Sequence, residues 1–306
     1  MRIVHLSDIH IWRYAFNPLH LVNKRFVGIV SLAAGRARRF RLERIEEVVD
    51  RVLSLAPDHI LITGDLTTTA LPAEFRQAHE ALAPLLTDPG RATVIPGNHD
   101  RYTAASVRVR AFEKWFGAYA PSTLYPWLRP LDHETAILGL DPTRAHLSAR
   151  GLLPPDQLAK GRELTSDRST LPRRLIIACH YPVEAPAPYL EELHHKRMVN
   201  ASEVIPWLAT VGKHLYCCGH VHAAWAFLPR ALPNQLCVNA GAPLLHDAKG
   251  LRAPGFLQID LEGDDVALTH HAWTGDDWSA RPFSPSLGAK FFDARPEFEP
   301  RPEGSA

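Results

Sequence analysis

Five short apolar runs recur through the first 220 residues, and each stops at a cluster of metal-ligating side-chain types. Residues 2–6 lead into Ser7-Asp8-Ile9-His10, and residues 59–63 into Gly64-Asp65. Thr93-Val94-Ile95 enters a Pro96-Gly97 turn that delivers Asn98, His99 and Asp100 in succession. Residues 175–179 stop at His180-Tyr181-Pro182, and residues 214–218 at Gly219-His220-Val221-His222. Runs this short, rich in β-branched residues and closed by Gly or Pro, read as buried strands. Amphipathic stretches at 42–56, 73–87, 154–165 and 201–211 separate them. Strand and helix in alternation predict parallel βαβ units, and chemistry gathers at strand ends in such folds.

Elsewhere the pattern is coarser. Residues 103–118 are expected to be helical, and 122–128 and 135–140 to be strands. Runs at about 224–228, 235–239, 255–260 and 265–272 suggest an antiparallel second sheet. Residues 1–283 are expected to form one domain, and 284–306, rich in Pro and charge, a fraying tail. Residues 11–41 hold seven Arg or Lys and no acid, with Val22, Phe26, Ile29, Val30 and Ala33 at helical spacing. Residues 17–41 of this segment could lie on an anionic membrane, steer an anionic substrate, or pack on their own domain.

Composition narrows the partners. A formal net charge of +1 gives no overall case for nucleic acid. The first strand begins almost at once, which argues against a secretory leader, and no run reaches the ~20 apolar residues of a spanning helix. Four cysteines, two of them adjacent in an apolar run, read as buried thiols in a reducing cytoplasm. The expected location is cytoplasmic, with peripheral membrane attachment as the variant. Nothing in the sequence bears on oligomeric state.

Asp8 and His10 alternate by two, as do His220 and His222, so each pair can project from one side of an extended segment. Carboxylates and imidazoles gathered at strand ends suit Mn, Fe, Zn or Co. Two cations ~3.5–4 Å apart need a shared carboxylate, and the single Asp65 is its natural source.

Asp-x-His, Gly-Asp, Gly-Asn-His-Asp, a lone His and Gly-His-x-His, in that order, resemble the calcineurin-like metallophosphoesterases over residues 2 to about 240. The resemblance implies a four-layer α-β-β-α fold, two facing mixed sheets flanked by helices. It also implies one metal on Asp8, His10, Asp65 and His222, and a second on Asp65, Asn98, His180 and His220. The reaction implied is hydrolysis of a phosphodiester or phosphomonoester, with hydroxide held between two metals attacking phosphorus. His99 is not needed as a ligand and is expected to be the general acid, with Asp100 orienting its imidazole. The motifs are nearest the cyclic-nucleotide phosphodiesterase-like branch, to which Arg197-Met198-Val199-Asn200 is also similar. His180-Tyr181-Pro182-Val183 departs from that branch's His-His-Pro-Pro. Two other readings are a membrane-surface hydrolase of a lipid-linked phosphate or pyrophosphate, and a non-catalytic metal-binding scaffold.

Overall fold

The computed structural model describes residues 1–14, 24–31, 35, 37–146, 148–167, 170–283 and 287–292. In the first half, β1 (Arg2–Leu6), β2 (His59–Ile62) and β3 (Ala92–Val94) pair in parallel. A second sheet takes β4 (Trp127–Pro130), β5 (Thr135–Gly139), β6 (Arg174–Ala178), β7 (His214–Cys218), β8 (Ala224–Phe227) and β9 (Gln235–Ala240). Its order is β4-β5-β6-β7-β9-β8, parallel within and antiparallel at both edges.

Side-chain alternation along these strands builds the layers. Ile3, Leu61, Ile176, Leu215 and Leu257 fill the core between the sheets. Their neighbours Val4, Leu6, Ile60 and Ile62 face outward against Val48, Val52 and Phe75. Leu175 and Ile177 likewise face outward, against Val204, Trp207 and Leu208. The helix Ile45–Ser54 buries Val48, Val49 and Val52 on one stripe, with Glu46 and Glu47 in its first turn and Arg51 in its last, which suits the helix dipole. Helices on both outer faces complete the expected four layers.

Three expectations change. The four late strand runs do not make a separate sheet: β8 and β9 complete the second one. The others are β10 (Gly255–Glu262) and β11 (Asp265–Trp273), and with β12 (Trp278–Pro282) they return to the first sheet, giving the order β12-β11-β10-β1-β2-β3. The helix expected over 103–118 is two, Ala104–Arg108 and Ala111–Phe116, because Arg110 turns left-handed at φ +51°. The tail expected to fray from 284 holds Phe291 and Phe292, both buried in the core between the sheets. There Phe292 N donates to Asp264 O at 3.0 Å. Residues 293–306 lie outside the described part.

The basic segment packs on its own domain where it is described. Its helix Arg25–Ser31 is anchored by Arg25, which donates to Thr69 O (3.1 Å) and Ala70 O (2.8 Å). Phe40 bridges to Leu245, and Arg41 N donates to Leu244 O at 2.8 Å. Phe26 and Val30 stay about half exposed, whereas Val22, Ala33 and the side chain of Ile29 lie outside the described residues. Among the described residues no helix is long and apolar enough to cross a membrane.

Candidate metal centre

The loops after β1 and β2 run on together. Asp8 N donates to Gly64 O (3.0 Å), His10 N to Asp65 O (2.9 Å) and Ile11 N to Leu66 O (2.8 Å). Asp8, His10, Asp65, His220 and His222 all adopt left-handed backbone, with φ between +52° and +72°. Each such residue costs on the order of 1–2 kcal/mol, and Asp and His tolerate the region better than most. Five of them at five candidate ligands concentrate strain where function needs placement. Close approach adds to it: a Cβ on Gly97 would stand 2.8 Å from Asp65 Cγ. Only hydrogen at that position lets the Asn98 turn reach Asp65.

Two clusters result. Asp8, His10, Asp65 and His222 can converge on one ion, and Asp65, His180 and His220 on another. Asp65 Oδ2 belongs to both, 3.6 Å from His10 Nε2 and 3.3 Å from His180 Nε2. Asp8 Oδ1 lies 3.3 Å from His222 Nε2 and 3.7 Å from His10 Nε2. Asn98 Oδ1 joins the second cluster, 3.2 Å from His180 Nε2. The partners of the far ring atoms fix orientation: His180 Nδ1 sits 2.7 Å from Thr63 O, and His220 Nε2 3.2 Å from Lys196 O, so His220 would offer Nδ1 to a metal.

The residues fit a cation. Asp8 Oδ1 is buried without a hydrogen-bond partner among the described residues, and the His10 and His222 Nε2 atoms face each other at 3.0 Å. Buried acceptors crowded in this way are costly unless a positive charge satisfies them. Asp65 shows the same demand. Burial disfavours its charge, yet His180, His99 and His10 hold its pKa well below the usual range. Burial opposes charging of His180 too, but Asp65 beside it lifts the pKa to about 9. Buried His220, next to that imidazole, is pushed well below its usual value. The mixed nitrogen and oxygen donor set suits Mn, Fe, Zn or Co.

Asp100 does not orient His99. Its carboxylate accepts from Gly97 N (2.9 Å), Thr67 N (2.9 Å), Thr67 Oγ1 (3.0 Å) and Leu66 N (3.3 Å). The tight turn folds Asp100 back onto the loop after β2, clamping it to the Asn98 turn. Burial, then the Asp65 charge, push its pKa up to about 7. His99 is placed by other atoms: its Nδ1 sits 2.6 Å from Thr68 O, its N–H donates to Asp65 Oδ1 at 2.7 Å, and its ring stacks on Tyr102.

Above the clusters lies a cavity of about 520 Å³, lined at its base by Asp65, Asn98, His99, His220 and His222. Its walls bring in Arg39, from the basic segment for which steering of an anionic substrate is one reading, and three residues that the sequence did not reveal, Glu192 and Lys196 from the helix Leu190–Lys196, and Arg252. The Glu192–Lys196 spacing of four was the available signal for that helix. Arg197 to Asn200 serve structure: Met198 is buried, and Asn200 exchanges hydrogen bonds with the Leu153 backbone (3.1 and 2.9 Å). Tyr181 walls the second cluster, its ring 4.5 Å from that of His220.

Residues 1–224 match the family described as calcineurin-like phosphoesterase. Among solved structures, the chain is similar to a dimetal phosphatase from Danio rerio at 12% identity and a TM-score of 0.59, covering 92% of this chain and 99% of that one. It is also similar to a purple acid phosphatase from yellow lupin (Lupinus luteus) seeds at 13% identity and a TM-score of 0.62. That match covers 91% of this chain but 52% of the lupin protein, so the chain spans about half its length. At such identities the likeness shows the fold alone. No curated protein matches the chain.

Proposed function

Because the chain belongs to the calcineurin-like phosphoesterase family, we propose that it is a two-metal hydrolase acting on a phosphodiester. One observation carries this reading: Asp65 Oδ2 is shared by two ligand clusters. Asp8, His10, Asp65 and His222 would hold one cation, and Asp65, Asn98, His180 and His220 the other. The similar solved structures include a protein described as a dimetal phosphatase, which supports two ions. Bound there, divalent cations would neutralise charge on the phosphoryl group and acidify water at neutral pH.

The chain's own groups supply the rest. His99 Nδ1, placed on the Thr68 carbonyl, leaves Nε2 as the atom that gives a proton to the departing oxygen. Asp100 acts at one remove, fixing the turn that carries Asn98 and His99. Asn98 brings a neutral donor, so the second cluster gains a ligand without another negative charge facing the phosphate. Four free, buried thiols support a reducing cytoplasm as the setting.

The test uses chelator-stripped protein refilled with Mn²⁺ and assayed on bis-p-nitrophenyl phosphate and on p-nitrophenyl phosphate. The reading expects metal-dependent turnover, faster on the diester, and loss of both metals in Asp65→Ala. Two bound metals with no turnover of either ester would favour a scaffold instead.

A further inference from the structure

Arg39 is in a position that the metal chemistry does not require. It lies on the inserted basic segment, and its backbone is latched by His246 N donating to Arg39 O at 2.6 Å. Its side chain is exposed and lines the cavity over the two clusters. Among the described residues no carboxylate pairs with its guanidinium. Two further cations line the same cavity, Lys196 and Arg252, and they share one carboxylate. Lys196 Nζ lies 2.5 Å from Glu192 Oε1, Arg252 Nη2 pairs with Glu192 Oε2, and Arg252 Nη1 donates to Val221 O at 2.9 Å.

The lining holds two acids, but Asp65 belongs to both ligand clusters. Beyond it, three cations face the single carboxylate of Glu192, more positive charge than a single diester, with its one negative charge, would use. The volume is also too large for a bare phosphate and falls in the range of pockets that hold whole small molecules. A guanidinium is a planar fork that matches phosphate oxygens two at a time, and holding so long a side chain over a cavity is favoured when an anion meets it.

From this we infer that the cavity takes a diphosphate ester, with one phosphoryl group on the metal clusters and the neighbouring one on Arg39. The inference rests on the hydrolase reading above and names its substrate class. In the reaction, the oxygen of water bonds to one phosphorus while its bond to the bridging oxygen breaks. The bridging oxygen leaves with the second phosphoryl group: a diphosphate esterified at both ends gives two phosphomonoesters, one esterified at a single end gives a phosphomonoester and inorganic phosphate, and the protons of water are released. Arg39 thereby acts as a specificity-determining residue, and Glu192 as the group that tempers Lys196 and Arg252.

The test compares binding of α,β-methylene-ADP and AMP to the Mn²⁺-loaded protein by calorimetry. Wild type is expected to bind the two-phosphorus probe at least about tenfold more tightly, as a bidentate charged contact would give. Arg39→Gln should bring the two probes within about threefold of each other, with Arg39→Lys in between, because a point charge replaces the fork. Glu192→Gln should shift affinity the opposite way, widening the preference, a direction that loss of folding would not produce. Equal binding of both probes by wild type would overturn the inference, as would equal weakening of both in Arg39→Gln. Turnover separates this failure from that of the parent reading. Hydrolysis of bis-p-nitrophenyl phosphate without any diphosphate preference sinks only the substrate class, whereas no hydrolysis of any ester sinks both. Kinetics on ADP-ribose against farnesyl diphosphate then tell a nucleotide source of the diphosphate from a lipid one.

Discussion

Adding one methyl group at Gly97 tests how tightly the shared carboxylate is held. The Cβ of Gly97→Ala would stand 2.8 Å from Asp65 Cγ and closer still to Asp65 N and Oδ1, where ordinary contact begins at 3.4 Å. Something must give by roughly half an ångström or more. The turn cannot swing away freely, because Asp100 holds Gly97 N at 2.9 Å and Thr67 N at 2.9 Å. The Asp65 side chain is therefore displaced, and with it the 2.7 Å bond to His99 N. Overpacking of this kind costs about 1–3 kcal/mol, or a few degrees of Tm in a chain of this length. Catalysis should suffer more, since a misplacement of ~1 Å can cost about a hundredfold. The expected variant is folded, a few degrees less stable, deficient in metal by mass spectrometry, and at least about tenfold lower in kcat/KM on bis-p-nitrophenyl phosphate. A variant with the same loss of Tm but two metals per chain and wild-type kcat/KM would refute the reasoning.

Other outcomes are expected from the same geometry. His99→Ala should retain both metals and lose roughly 10²–10⁴-fold in kcat, as removal of a general acid does; an empty site by metal analysis would make His99 a ligand instead. Phe292→Ala should destabilise the fold by about 3–5 kcal/mol in denaturant titration, since it removes a buried aromatic from the core between the sheets. Burial, aided by Arg129 and Arg91, lowers the His59 pKa to about 3 from 6.5, so between these values the unfolded chain binds a proton that the folded one does not. Stability should fall as pH drops below about 6.5, by ~1.4 kcal/mol per unit from this group, and His59→Gln should flatten that slope in urea melts run from pH 7 to 4.5.

The candidate ligands could be read from sequence because strand ends are local signals. Apolar runs stop abruptly, and the pairs that close them, Asp8 with His10 and His220 with His222, stand in plain view. The part played by Asp100 could not be read the same way. Adjacency to His99 along the chain suggested contact, but the turn reverses direction and sends the carboxylate to Thr67 and Gly97. Sheet membership is harder again: the β10 and β11 patterns fit an antiparallel pair in either sheet, and only the long-range pairing of β10 with β1, from Arg2 opposite Asp260 to His5 opposite Leu257, decides it. Phe291 and Phe292 were hidden by the Pro-rich, charged composition around them. Arg39 and Lys196 reach the cavity by long-range packing that no local period encodes.

The return of β10 to the first sheet has a consequence for how the molecule comes to exist. Residues 1–224 match the family and contain every candidate ligand, yet β1, which leads to Asp8 and His10, lies between β2 and β10. Until residues 255–262 have been made, that strand has an open edge, a row of unpaired amides and carbonyls free to join another chain. Loop closure across such a separation is slow compared with local pairing. During synthesis the ligand loops would thus emerge early on a strand that waits for its second neighbour, and residues 255–262, made after every candidate ligand, decide when the site becomes rigid.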